Sequence, residues 1–256
     1  MTQAQVDHLV IAARNLDEGV RWCEATLGVT PGAGGAHPLM GTHNRLLSIA
    51  SAAFPKCYLE IIAVDPRQRP TREKHKHRWF DLDDPALQYG LAQHGPQLIH
   101  FVVRVPDAHA TTHALAAEPT HIARGRVIEA ARDVPAPTLP ALPSEGAAAG
   151  LARPGANSPA GRLEWHITVR DDGQRLFFGA LPTLIQWGAV HPTDSMPASG
   201  ITLSALALAH PRAATLAAAL RVIGLEPGEA VEPGPPNLVA TLQTPRGPVI
   251  LESKGL

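Results

Sequence analysis

The chain has little cysteine, almost no net charge and no long apolar run. Its 256 residues include 2 cysteines, Cys23 and Cys57. They form no C-x-x-C pair and give no basis for a disulfide framework. The net charge is −1, which leaves no electrostatic reason to expect nucleic acid or an anionic membrane as a partner. No apolar stretch approaches the roughly 18 residues needed to cross a bilayer. The start, Met1 to Gln5, is polar and runs into an apolar stretch of only a few residues, unlike a secretory signal or a transit peptide. The expectation is a cytoplasmic protein. Apolar residues make up 45% of the chain, enough for a substantial core at this length.

The clearest positive signal is internal repetition. Val6 to Ala12 reads as a buried strand, and Asn15 or Asp17 can cap the helix that follows. Leu16, Val20, Cys23 and Leu27 then fall on one face of that helix. Gly28 ends it, with Pro31 shortly after. Strands are predicted at Arg45 to Ser51 and Lys56 to Val64, with room for another near residues 29 to 38. The same order returns late in the chain. Ile201 to Ala209 is apolar, and His210-Pro211 opens a helix with Leu216, Leu220 and Ile223 on one face. Gly224 closes it, and Leu238 to Thr244 and Val249 to Glu252 form a hairpin.

A third copy lies between them. It has a strand at Leu98 to Val105 and a helix from Asp107 to about Ala117. Further strands are predicted at Arg126 to Ala131, Leu163 to Arg170 and Thr183 to Trp187. The expected organisation is module one at 1–66, a loop-rich insert at 67–97, module two at 98–190 and module three at 200–254. Module two carries a long Pro/Ala/Gly-rich loop at 135–160. Each module has a βαβββ pattern too small to bury its own sheet face, so modules must pair.

Two histidines occupy equivalent places. His8 lies seven residues before Asn15, and His100 seven before Asp107. Module three has Leu203 or Ser204 there. Glu60 sits in an apolar strand, where a carboxylate is costly unless it is paired or bound to a metal. The matching position in module two is expected to be Gln186. Two His and a carboxylate suit a divalent ion, Zn, Fe, Ni or Mn, with positions left open for substrate. Thr42, Asn44 and Arg45 are candidate substrate contacts, and Trp79 a candidate cover for the site. Trp187, by strand alternation, lies on the face opposite Gln186 and is expected in the core. His191 and His210 read as turn or cap residues.

Several segments together resemble one family. They are Val6-Asp7-His8-Leu9-Val10-Ile11, the stretch from His37 to Arg45, Tyr58-Leu59-Glu60-Ile61-Ile62 and Trp79-Phe80-Asp81-Leu82. Leu98-Ile99-His100-Phe101, Leu184-Ile185-Gln186-Trp187 and His191-Pro192 continue the likeness. They resemble the glyoxalase-like group of the vicinal-oxygen-chelate superfamily. The resemblance implies an α+β fold of tandem βαβββ modules, two of them paired into a half-open barrel, with a third C-terminal module. It implies a divalent metal on His8, Glu60, His100 and Gln186, with Glu60 also catalytic. The implied reaction is metal-dependent lyase, isomerase or ring-cleaving dioxygenase chemistry on a small oxygenated compound. The alternative is a metal-free small-molecule binding or drug-sequestering protein of the same fold. Gln186 departs from the Glu found in many relatives, and a neutral amide cannot serve as a base there. Module three either packs on the outside of the barrel or pairs with a second chain, and a homodimer is expected.

Overall fold

The structure is a computed structural model that describes residues 3–133, 162–225 and 231–255. The expected loop at 135–160 lies outside the described residues. Eleven strands and four α-helices are described. Eight strands form one curled sheet and three form a second, smaller one.

Module one runs β1 (Gln5–Ala12), α1 (Leu16–Leu27), β2 (Gly32–His37), β3 (Thr42–Ser48) and β4 (Tyr58–Val64). Asn15 is the cap of α1: its side chain accepts the Glu18 N–H at 2.9 Å. Gly28 ends the helix in the left-handed conformation. Cys23 and Leu27 face the core. Gly19 is what lets α1 lie so close to β4, since a Cβ there would stand 2.4 Å from Ile61 Cγ2. That contact fixes the strand carrying Glu60.

Module two runs β5 (Gln97–Arg104), α3 (Ala108–Ala116), β6 (Arg126–Asp133), β7 (Arg162–Val169) and β8 (Thr183–Trp187). The helix α2 (Pro85–His94) lies in the insert before it. The insert was expected to be loop-rich. Asp84 caps α2 and Pro85 opens it, as their residue types favour. Its apolar face is narrow: Leu87 and Leu91 are the large side chains it buries.

The sheet order is β2-β3-β4-β1-β5-β8-β7-β6. Reading outward from its centre, module one contributes β1, β4, β3, β2 and module two β5, β8, β7, β6. β1 pairs parallel with β4, β5 parallel with β8, and β1 and β5 are antiparallel. The two modules are thus joined back to back about the β1–β5 pair.

Module three comprises β9 (Thr202–Ala209), α4 (Ala213–Ile223), β10 (Asn237–Thr244) and β11 (Gly247–Glu252). Its apolar residues Leu203, Leu216, Leu220 and Leu242 share one core cluster with Leu27, Phe101 and Leu184. The Leu203 N–H donates to the Ile49 carbonyl at 2.8 Å. Module three therefore covers the helical side of its own chain's barrel. The concave side holds a second cluster, with Val10, Ile62, Val102, Ile167 and Ile185 beside Trp79 and Phe80. No described helix is long and apolar enough to cross a membrane.

Candidate functional site

The concave face of module one carries a connected set of polar side chains. β1 is bulged between Val6 and His8, opposite Val103 and Val102. The extra residue is Asp7. A bulge re-aims the side chain it inserts, and the Asp7 carboxylate comes round onto the His8 ring, Oδ1 2.7 Å from Nδ1. Asp7 is fully buried. Its other oxygen accepts the Trp187 indole N–H at 3.0 Å and meets His191 Nε2 at 2.9 Å and Arg104 Nη1 at 3.5 Å. His191 Nδ1 accepts the Thr193 N–H at 3.2 Å, so its proton is on Nε2, facing Asp7. Burial pushes the Asp7 carboxyl up, but the hydrogen bonds from His191 and His8 outweigh it and hold the group well below its ordinary value.

With Asp7 holding Nδ1–H, the free face of His8 is Nε2. It lies 3.5 Å from Glu60 Oε2. The other Glu60 oxygen accepts from Asn44 Nδ2 at 2.6 Å. Asn44 Oδ1 accepts the Gly35 N–H at 2.8 Å, which fixes the orientation of the amide. Asn44 lies so close to β2 that a Cβ on Gly34 would stand 2.2 Å from both its oxygens. The chain continues through His37, whose Nε2 is 3.4 Å from Asn44 Nδ2 and whose Nδ1 is 3.1 Å from Thr42 Oγ1. Burial, and then the charge of Arg132, lower His37 to about 3. Tyr58 stacks on His8 with ring centres 4.5 Å apart. Trp79 meets His37 edge-on at 5.1 Å.

The sequence profile of the Glyoxalase-like domain matches residues 6–224. The chain belongs to the glyoxalase-like domain family. No curated protein matches it in sequence. Among solved structures, a hypothetical protein from Staphylococcus aureus is similar at TM-score 0.51 and 13% identity, over 97% of this chain and 85% of that one. Methylmalonyl-CoA epimerase from Mycobacterium tuberculosis is 13% identical at TM-score 0.35, over 75% of this chain and 92% of its own. A Streptomyces coelicolor methylmalonyl-CoA epimerase variant, in complex with 2-nitronate-propionyl-CoA, is 17% identical at TM-score 0.38, over 74% and 99%. At these identities the likeness is one of fold.

Within this glyoxalase-like fold, the four residues expected to hold a metal do not converge. His8 and Glu60 meet as described. His100 does not present a free nitrogen. Its Nε2 accepts the Thr183 N–H at 3.1 Å, and its Nδ1 is 2.8 Å from the Gly179 carbonyl. Burial, with the nearby charge of Arg124, drives it well below the ordinary histidine range. Gln186 lies on the helical face of β8, where its Oε1 accepts the Ala108 N–H at 3.0 Å and serves the N-terminus of α3. Trp187 is the inward residue of that pair. The register explains the correction. Val10, two residues after His8, stands beside Glu60. Val102, two residues after His100, stands beside Thr183. The module-two counterpart of Glu60 is Thr183.

No group of three or more His, Cys, Asp or Glu side chains that could hold a metal exists among the described residues. Protein metal centres of this kind use three or four protein donors, and of the four expected here only His8 and Glu60 meet. The donor set does not fit a resident divalent ion.

The expected substrate contacts divide in the same way. Thr42, Asn44 and Trp79 belong to the polar chain or border it. Arg45 alternates with Asn44 on β3 and so lies on the other face. Sequence reasoning missed three contributors: Asp7, His191 and Arg132. Asp7 stands next to His8 in the sequence, but only the bulge puts both on one face. His191 was read as a turn or cap residue, and it is one: it caps the short turn at Pro192–Asp194. It also reaches Asp7.

Proposed function

We propose that this protein is a proton-transfer enzyme, an isomerase or lyase acting on a small oxygenated compound with an acidic C–H next to a carbonyl. The observation that carries this reading is the His8–Glu60 pair at 3.5 Å, with His8 held from behind by the buried Asp7 carboxylate. Glu60, as carboxylate, takes the carbon-bound proton. The C–H electron pair moves toward the carbonyl, and the developing oxygen charge receives the proton from His8 Nε2. Where the reacting carbon bears a hydroxyl, Glu60 delivers its proton to the former carbonyl carbon and that hydroxyl returns a proton to His8, which restores both groups and completes an isomerisation. General acid–base residues placed this way contribute about 10²–10⁴-fold each. Asp7 fixes the His8 tautomer and balances the imidazolium, as a buried carboxylate does behind a catalytic histidine.

The test is hydrogen–deuterium exchange. Small 2-oxo acids, hydroxyketones and β-dicarbonyl compounds are incubated with the full chain in D₂O and followed by proton NMR. Exchange at the carbon next to the carbonyl is expected with the wild-type protein and is lost in Glu60→Gln and His8→Ala. Treatment with EDTA leaves the rate unchanged. Loss on EDTA treatment, restored by Zn, Fe, Ni or Mn ions, would overturn the metal-free reading. Binding of such a compound with no exchange would make the protein a binding or sequestering one.

A further inference from the structure

The two edges of the curled sheet, β2 and β6, face each other across the concave side, and one side chain bridges them. Arg132, next to last in β6, pairs by backbone with Leu163. Its guanidinium reaches β2: a Cβ on Gly35 would stand 2.0 Å from Nη1 and 3.0 Å from Cζ. Gly35 is the residue whose N–H binds Asn44, the partner of Glu60. Arg132 Nη1 is buried and has no hydrogen-bond partner among the described residues. Trp79 Nε1, beside His37, is likewise buried and has no partner among the described residues.

A guanidinium removed from water without an ion pair is costly, because its charge loses hydration and gains nothing in return. Several arginines among the described residues avoid the cost. Arg78 pairs with Asp83, Arg175 with Asp81 and Arg170 with Asp172. Arg132 instead lies within electrostatic range of Tyr58, Glu60 and His37 but makes no ion pair with them among the described residues. Burial lowers its pKa, and the charges of Tyr58 and Glu60 only partly restore it. An anion bound at the Arg132 guanidinium supplies the missing partner. Arginine's planar fork suits a carboxylate, which it binds with two parallel N–H···O bonds.

We propose that Arg132 is the anchor for a carboxylate on the substrate. The substrate class is then a small carboxylic acid whose reactive carbon is held beside Glu60. The substrate role rests on the proton-transfer reading; anion binding at Arg132 does not. Arg132 touches the bound acid and moves no proton.

Binding and chemistry are measured separately to test this. Titration calorimetry of the full chain compares pyruvate with pyruvamide, its neutral amide of the same shape, and with acetate and malonate as plain carboxylates. The wild-type protein is expected to bind pyruvate at least ~10-fold more tightly than pyruvamide, the increment of a charge-assisted contact. Arg132→Gln should weaken pyruvate binding by about 10–100-fold and leave pyruvamide unchanged, while Arg132→Lys recovers part of the loss. Glu60→Gln, which stops proton exchange, should keep carboxylate binding. Equal affinity for pyruvate and pyruvamide would overturn the proposal. So would unchanged pyruvate binding in Arg132→Gln, or no binding of any of the three carboxylates at millimolar concentration. If carboxylates bind through Arg132 but no proton exchanges, the anchor stands and the enzyme reading fails. If exchange occurs on neutral ketones with no dependence on Arg132, the enzyme reading stands and the anchor fails.

Discussion

Modules one and two share a topology, and each begins its first strand with an inward histidine, yet the two histidines have opposite fates. His8 keeps Nε2 directed at a carboxylate 3.5 Å away. His100 spends both nitrogens on its own module's backbone, at Gly179 and Thr183. The difference comes from one register position, Glu60 against Thr183. A carboxylate leaves its histidine's second nitrogen uncommitted to the backbone. A threonine, with its own N–H turned inward, consumes the lone pair. Arg124 then donates to Thr183 Oγ1 and the Pro182 carbonyl and closes the module-two site. One half of the barrel turns a histidine nitrogen toward a carboxylate, and the other ties its histidine to the backbone. A repeated fold need not repeat its chemistry.

The largest expected effect tests the half proposed to be active. Glu60→Gln should reduce proton exchange by about 10²–10⁴-fold with little change in melting temperature. Thr183→Val, its counterpart, should leave exchange intact. A comparable loss of activity in both would erase the contrast between the modules.

The pH dependence of stability is the next largest effect and involves both halves. His37 in module one is lowered to about 3 and His100 in module two falls well below the usual range. Both are neutral in the folded state, while an unfolded histidine takes a proton near pH 6.5. Below that pH the unfolded chain binds more protons, so stability falls as pH drops from about 6.5 toward 3. The slope is about 1.4 kcal/mol per pH unit for each group. Asp7, held below the ordinary carboxylate range, keeps its contribution above about pH 4 and loses it in stronger acid. Denaturant titrations at several pH values measure this, and His100→Gln should remove one histidine's share of the slope. At neutral pH the same variant should cost about 1–3 kcal/mol, the penalty for a disrupted buried hydrogen bond, and leave exchange unaffected. A collapse of exchange in His100→Gln would return His100 to the active site.

The smallest effects concern support of the pair. Trp187→Phe removes one donor to Asp7 and should cost about 1 kcal/mol, seen as a modest drop in exchange rate and melting temperature. Arg132→Met, with no anion bound, should be neutral or slightly stabilising, because it removes a half-buried cation that has no ion pair among the described residues.

Much of the architecture was legible along the chain. Periodicity, Asn15, Asp107, Gly28 and Gly224 marked where α1, α3 and α4 begin or end, because capping and left-handed closure are local events. The repetition of the strand–helix–strand order showed that modules had to pair. The helix α2 was missed because its buried large side chains are few, leaving no strong periodic signal. His8, Glu60 and Asn44 were legible as polar residues at apolar or loop-proximal strand positions. Gln186 and Arg45 were not placed correctly. Alternation put Gln186 and Trp187 on opposite faces but could not say which face was inward, and a one-residue error inverts every assignment on a strand.

By itself the sequence determined the elements, their tandem order and the small set of polar side chains that the sheet would have to accommodate. Those follow from local periodicity and capping, which act over a few residues. The tertiary structure decided which polar groups meet. Asp7 faces His8 because the pairing of β1 with β5 inserts a bulge. Glu60 has Thr183 as its counterpart because two parallel pairings set the register. Arg132 reaches Gly35 because curling of the sheet brings its two edge strands together, almost a hundred residues apart along the chain. Register and closure arise from pairing between distant strands, and no local pattern encodes them.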